Sequence, residues 1–125
     1  MRVWFNGALL DDPTSPAIRV DDHGLTVGDG VFEAIKVLDS QPFALTRHLA
    51  RLAHSATGLG LPQPDLAQVR DAIATVLEGQ QLPLGRLRVT WTAGPAPLGS
   101  GRGGGPPSLV VVASPMDPAA PSTQP

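Results

Sequence analysis

Hydrophobic and polar residues alternate along two segments of the chain, residues 31–38 and 86–92, as they do in β-strands with one buried face. A third segment, residues 109–113, is a continuous and mostly β-branched run that suits a central strand. Ahead of them, Asn6 and Gly7 separate two short apolar runs, and both residues tolerate the positive φ of a tight turn. The pattern therefore predicts an N-terminal β-hairpin and three longer strands.

Two amphipathic helices are predicted in the middle of the chain, where apolar residues recur at helical spacing. The first runs from Thr46, its expected N-cap, to Gly58 or at the furthest Gly60. The second begins after Asp65, which can cap it, and ends near Gly79. Each helix has one apolar face to bury.

Glycine and proline, at 14 residues each, concentrate in the connections between these elements. Residues 18–20 are expected to form a short strand, and residues 21–30 a loop. Residues 94–107 are expected to form a long loop of the kind that often carries function. After Ser114 the chain is rich in proline and alanine. Residues 114–125 are therefore expected to be an interdomain linker or a disordered tail.

Strands at both ends with two helices between them indicate the α+β class, a mainly antiparallel sheet covered on one face by two helices. The chain has 125 residues, which suffices for one hydrophobic core. Residues 1–113 are predicted to be that single domain.

Composition narrows the possible functions. Nine basic and eleven acidic residues give a formal charge of −2, so no broad positive field favours nucleic acid or an anionic membrane. No stretch is apolar enough to act as a signal or membrane segment. The chain has no cysteine, and its three histidines lack metal-ligand spacing. We expect a cytoplasmic protein with neither a disulfide nor a metal site.

The strand at residues 31–38 has two different faces, because side chains alternate with period two. One face is apolar apart from Glu33, which is interpreted as structural. The other carries Phe32, Ala34 and Lys36, a pattern that suits a cavity wall and equally a solvent-exposed sheet face. Lys36 is also the only lysine in the chain.

Two motifs on these elements resemble a known family. The run from Gly28 to Val37, GDGVFEAIKV, and the run from His48 to Leu52, HLARL, are similar to the N-terminal signature of class IV pyridoxal-phosphate enzymes. That family contains branched-chain aminotransferases, D-amino-acid aminotransferases and aminodeoxychorismate lyases. The resemblance covers about residues 2–113 and implies the small N-terminal domain of the D-amino-acid-aminotransferase-like fold.

The resemblance also implies roles for individual residues. Arg51 would bind the phosphate of pyridoxal 5'-phosphate, which a planar guanidinium can hold through two parallel hydrogen bonds. Phe32, Ala34 and Lys36 would line the substrate side, with Lys36 attracting a carboxylate. The Schiff-base lysine of the family is expected beyond residue 125, so no catalytic residue is assigned here. The alternative for Arg51 is a solvated or ion-paired surface arginine.

For the reaction, the resemblance favours a lyase that converts 4-amino-4-deoxychorismate to 4-aminobenzoate and pyruvate, as a homodimer acting on a small-molecule substrate. Residues 94–99 lack the Arg-x-His pair of the relatives that act on D-amino acids. The amino-acid sequence of the loop that follows is similar to that of the lyases. A branched-chain or related class IV aminotransferase is the alternative within the family. A truncated, non-catalytic fragment is the alternative outside it.

Overall fold

Within the part of the chain that the structure describes, the strands form a single antiparallel sheet of six, in the order β2-β1-β6-β5-β3-β4. The computed structural model describes residues 1–99, 101 and 104–117. The strands are β1 (Arg2–Phe5), β2 (Ala8–Leu9), β3 (Gly30–Leu38), β4 (Gln41–Pro42), β5 (Leu84–Thr92) and β6 (Ser108–Pro115). The helices are α1 (His23–Thr26), α2 (Leu45–Gly58) and α3 (Leu66–Leu77). The predicted α+β class is confirmed.

The N-terminal hairpin forms as predicted. Asn6 and Gly7 take positive φ values of 44° and 108° and connect β1 to β2. The Asn6 side chain also closes the hairpin onto the sheet, because its Oδ1 accepts a hydrogen bond from the backbone N–H of Leu109 at 2.7 Å. The turn thereby helps to position β6 beside β1.

The two helices differ in how they begin. Asp65 caps α3 as predicted, its Oδ1 accepting from the backbone N–H groups of Ala67 and Gln68 at 3.0 and 3.3 Å. Thr46, in contrast, does not cap α2. That helix begins one residue earlier, after Ala44 in the left-handed conformation, and has no side-chain cap. The N-cap prediction for Thr46 was wrong because the chain enters α2 through a tight turn of positive φ.

The hydrophobic core lies between α2, α3 and one face of the sheet. The strands contribute Ile35, Val37, Leu87, Val89 and Val111, and the helices contribute Leu49, Leu52, Val69, Ile73 and Val76. Each of these side chains is at most 2% exposed, and full burial of such a side chain contributes about 1.5–3 kcal/mol. Both longer helices therefore pack against the same face of the sheet.

Two predictions between β2 and β3 were wrong. Residues 18–20 form no strand; Ile18 and Val20 are 40% and 81% exposed, so burial does not favour an extended conformation there. Residues 21–30 are not all loop, because α1 forms one helical turn within them. Asp22 caps this turn by accepting from the backbone N–H of Gly24 at 2.8 Å. A single turn lacks the periodicity that reveals longer helices.

At the C-terminal end, β6 continues to Pro115, two residues beyond the predicted limit of the domain at residue 113. Residues 118–125 lie outside the described part, so the linker or disordered tail stays a prediction.

Candidate active site on the sheet

The predicted substrate residues lie on the open face of the sheet, defined here as the side away from α2 and α3. Burial alternates along β3, with Phe32, Ala34 and Lys36 exposed and Glu33, Ile35 and Val37 buried. The register sets three cross-strand rows on β3, β5 and β6: Lys36–Arg86–Ser114, Ala34–Arg88–Val112 and Phe32–Thr90–Val110. The strand pairing therefore brings the three predicted residues together and adds two arginines from β5.

This face is cationic. Lys36 is registered with Arg86, and Arg88 occupies the next row of the same face. The open-face positions of β3, β5 and β6 include no acidic residue. Three cations on adjacent strands repel one another, and like charges placed opposite each other cost stability. Such an arrangement is favourable when an anion lies over it.

Phe32 is the aromatic part of the face and is 53% exposed. The guanidinium carbon of Arg88 lies 4.0 Å from the centre of its ring, a cation–π contact that fixes both side chains against the sheet. An exposed ring beside cations combines apolar contact area with positive charge. That combination suits a ring-bearing or planar anionic ligand.

Arg51, the predicted phosphate ligand, lies on α2 and therefore belongs to the helix layer, not to the open face. Its side chain is 65% exposed, and its Nε lies 3.6 Å from Oε1 of Glu33. Among the residues that the structure describes, Glu33 is the only acidic side chain within 4 Å of this guanidinium, and the guanidinium itself donates no hydrogen bond. The N–H groups of Arg51 remain available to an anion.

Glu33 links β3 to α2. Its carboxylate is buried, with a side-chain exposure of 7%, and it accepts a hydrogen bond from Nδ1 of His48 at 2.7 Å. Because a carboxylate can only accept, Nδ1 of His48 carries the proton. From the sequence Glu33 is expected to be structural, and its contact with Arg51 is not predicted. The available signal was one charged residue on an otherwise apolar strand face.

The outer edge of β3 borders both the open face and the face towards α2, which carries Arg51. β4 pairs with β3 only at Val37 and Leu38, so the outer edge of β3 from Gly30 to Ile35 has no strand partner within the described ranges. Both faces of the sheet are accessible from such an edge. Along this edge β3 carries Phe32 on the open face and Glu33, which contacts Arg51, on the face towards α2.

Asp22 closes the end of the open face at the row Gly30–Thr92–Ser108. It is fully buried and accepts hydrogen bonds from Oγ1 of Thr92 at 2.8 Å and Oγ of Ser108 at 2.6 Å. These two residues lie at the ends of β5 and β6, on either side of the long loop. Asp22 therefore fixes the base of that loop.

His23 holds the loop from a second point. The ring is fully buried, and its Nε2 donates to the carbonyl oxygen of Pro97 at 2.7 Å, while Nδ1 lies 3.5 Å from a carboxylate oxygen of Asp29. The hydrogen bond to a loop carbonyl ties this histidine to the loop, while Nδ1 has no hydrogen-bond partner among the described residues. In the described ranges, no three histidine or acidic side chains cluster so as to hold a metal ion.

The residues present fit a phosphate-bearing cofactor in one respect. Arg51 is contacted on its Nε side, is mostly exposed and has no other acidic neighbour in the described chain. Such an arginine is suited to a phosphate dianion.

No helix within the described residues is long and apolar enough to cross a bilayer.

Comparison with known proteins gives a consistent result. The family model for amino-transferase class IV matches residues 30–125. A bifunctional aminodeoxychorismate lyase / D-amino acid transaminase of Mycobacterium tuberculosis is 33% identical over 119 residues, which are 93% of this chain and 39% of that protein.

Two solved structures share the fold. One is a hypothetical aminotransferase from Mycobacterium tuberculosis in its PLP-bound form, with a TM-score of 0.80 and 32% identity over 94% of this chain and 40% of that one. The other is the branched-chain amino acid aminotransferase of Escherichia coli, with a TM-score of 0.80 and 26% identity over 92% and 40%. The chain thus spans about two fifths of the length of these proteins.

Proposed function

We propose that this chain, which belongs to the class IV aminotransferase family, provides the substrate-facing domain of a pyridoxal-phosphate-dependent lyase that converts 4-amino-4-deoxychorismate to 4-aminobenzoate and pyruvate. Members of this family depend on pyridoxal 5'-phosphate, which is the cofactor predicted from the sequence. The proposal also includes a homodimer that acts in the cytoplasm. In this proposal Lys36, which is exposed on the open face, attracts a substrate carboxylate, and the Schiff-base lysine of the family is expected outside residues 1–125.

One observation carries the proposal: three cations and one aromatic ring share an exposed sheet face without an acidic residue in its β3, β5 and β6 positions. The lyase substrate is a ring with two carboxylates. The face offers three cationic groups, Lys36 and Arg86 in one row and Arg88 in the next. Each of the two carboxylates can therefore pair with one cation, and a third cation remains. Phe32 supplies a flat apolar surface beside them.

The chain's own residues have three tasks in this proposal. Arg51 binds the phosphate of the cofactor and so fixes its position at the edge of β3. The substrate is oriented through its carboxylates by Lys36, Arg86 and Arg88. These side chains align the reacting carbon and take no part in the bond changes. The cofactor, when bound, supplies an electron sink for the carbanion left at the substrate's α-carbon.

An aminotransferase of branched-chain or related substrates is the second candidate, supported by the similarity to the branched-chain amino acid aminotransferase of Escherichia coli. A branched aliphatic side chain would contact Phe32 and Val110 on the open face but would leave part of the cationic row without an anion. The keto acid or glutamate partner of transamination would use that row. The cationic face therefore favours the lyase.

The first test is covalent trapping of the cofactor in the purified native protein. The protein is incubated with pyridoxal 5'-phosphate, reduced with borohydride and weighed intact. A pyridoxyl adduct on a polypeptide heavier than the 12.9 kDa of this chain supports the proposal. A 12.9 kDa polypeptide without an adduct indicates a non-catalytic fragment. An adduct on Lys36 would overturn the role given to that residue.

The second test separates the two reactions. Pyruvate release from 4-amino-4-deoxychorismate is compared with amino-group exchange between glutamate and a branched keto acid. Replacement of Arg88 by Gln is expected to raise KM for the lyase substrate about tenfold, the effect of one lost charge-assisted contact. Arg47→Gln, on the exposed side of α2, is the matched control. Exchange without pyruvate release would establish the aminotransferase instead.

A further inference from the structure

We propose that Glu33 is a positioning residue for the cofactor: its buried carboxylate holds the Nε side of Arg51 and leaves the two Nη groups for the cofactor's phosphate. The inference rests on the proposed function, which makes Arg51 the phosphate ligand. It assigns to β3 a second role, on the face opposite to the substrate residues.

A charge at the position of Glu33 costs free energy. Glu33 lies on the core face of β3 with Val31, Ile35 and Val37, and its side chain is only 7% exposed. Burying a carboxylate in apolar surroundings is costly unless donors compensate it. An apolar residue would satisfy the core at this position without that cost. The presence of a carboxylate therefore points to what it contacts.

Glu33 contacts two basic side chains. Within the described part of the chain, the basic side chains near Glu33 are His48 and Arg51, both on α2. They are three residues apart and so lie on the same side of the helix. Both approach the same atom, Oε1, at 2.7 Å from Nδ1 of His48 and 3.6 Å from Nε of Arg51. His48 fixes where Oε1 lies, and Oε1 in turn holds Arg51.

The contact with Glu33 restricts the side chain of Arg51. An arginine that is 65% exposed and has no anchor samples many rotamers, and this freedom is lost when it binds a phosphate. Contact through Nε restricts the side chain in advance and keeps the forked end of the guanidinium free. The 3.6 Å separation is longer than a hydrogen bond, so the contact orients Arg51 without neutralising its donors. A preorganised ligand binds more tightly.

The test uses the native protein freed of cofactor, with pyridoxal 5'-phosphate as the probe. The variant is Glu33→Gln, which keeps the shape and removes the charge, and Glu78→Gln is the matched control because Glu78 is exposed. Two quantities are measured: the Kd for the cofactor by titration, and the ³¹P chemical shift of the bound phosphate. We expect Glu33→Gln to weaken binding on the order of tenfold and to move the ³¹P signal, and Glu78→Gln to change neither.

Arg51→Gln separates this inference from the proposed function. If Arg51→Gln leaves both Kd and the ³¹P shift unchanged, Arg51 does not bind the phosphate and the proposed function of Arg51 fails. If Arg51→Gln weakens binding and Glu33→Gln does not, only the positioning role is overturned. A positioning role also requires that Glu33→Gln adds little once Arg51 is already replaced, whereas two additive losses would contradict it.

Folding is checked by circular dichroism before each titration. If Glu33→Gln does not fold, Glu33→Asp takes its place, because it keeps the charge and withdraws the carboxylate from Arg51 by one methylene. The same expectations apply to it with a smaller loss of affinity. An unchanged ³¹P shift in a folded Glu33→Asp protein would overturn the inference.

Discussion

The buried carboxylate of Asp22 is expected to be the most sensitive polar position outside the core. Asp22→Ala leaves the hydroxyl donors of Thr92 and Ser108 without their acceptor, and all three residues are at most 3% exposed. Each buried donor left unsatisfied costs about 1–3 kcal/mol, so the variant should lose about 2–6 kcal/mol. Native domains have a free energy of unfolding of about 5–15 kcal/mol, so this loss is a large share.

The assay is urea unfolding followed by fluorescence of the two tryptophans. Asp12→Ala is a matched control, because Asp12 also accepts from a hydroxyl and a backbone N–H, both of Thr14, but in full exposure. Asp22→Asn keeps the shape and one acceptor oxygen, so its loss should lie between those of the other two variants. If Asp22→Ala is no more destabilising than Asp12→Ala, the reasoning from burial is refuted.

The pH of this assay matters because of the control. The pKa of Asp12 is lowered, first by the hydrogen bond from the Thr14 hydroxyl and then by that from the Thr14 backbone. A lowered folded-state pKa gives stability that is present above the unfolded-state pKa and is lost as the pH falls through the folded-state pKa. The unfolding free energies of the Asp12 and Asp22 variants should therefore be compared near neutral pH, where the stabilising contribution of the Asp12 carboxylate is fully present.

Three further predictions concern caps, glycines and the open face. Asp65→Ala should lower the free energy of unfolding by about 1 kcal/mol, because it removes the cap of α3, whereas Thr46→Ala should change it by less than about 0.5 kcal/mol in the same urea assay. Gly94→Ala should lower the free energy of unfolding by more than about 1 kcal/mol, because φ is +81° and a Cβ would meet the carbonyl group of Pro106. Gly58→Ala is the control, because a Cβ there meets nothing within 4 Å. An effect of Gly94→Ala no larger than that of Gly58→Ala would contradict this prediction. Phe32→Ala should cost less than about 1 kcal/mol of stability, yet raise KM for a ring-bearing substrate in the steady-state assay; a change in stability alone would make Phe32 structural.

The sequence predicted those parts of the fold that depend on local periodicity. The alternation along β3, the hairpin at Asn6 and Gly7, and the cap at Asp65 all follow from the conformational preferences of neighbouring residues, and the structure confirms them. The failures have a different physical origin. Thr46 has the composition of an N-cap, but the turn that enters α2 decides where the helix begins.

The candidate site shows the same division. The face shared by Phe32, Ala34 and Lys36 could be predicted, because strand period alone determines it. The arginines of β5 could not be added to that face from the sequence, because only the register of β3 against β5 places them there. Whether these side chains bind substrate stays a prediction. Their arrangement as a cationic row is an observation of the structure.

The register of β3 also explains why the two proposed roles belong together. Phe32 and Glu33 are adjacent, so they face opposite sides of the sheet, one towards the open face and the other towards α2. A shift of one residue would bury Phe32 beside His48 and expose Glu33 among the cations, exchanging the two environments. The pairing of β3 with β5 over nine residues fixes this choice. Substrate contacts and the support of Arg51 therefore depend on a single strand register, and an insertion within β3 is expected to abolish both at once.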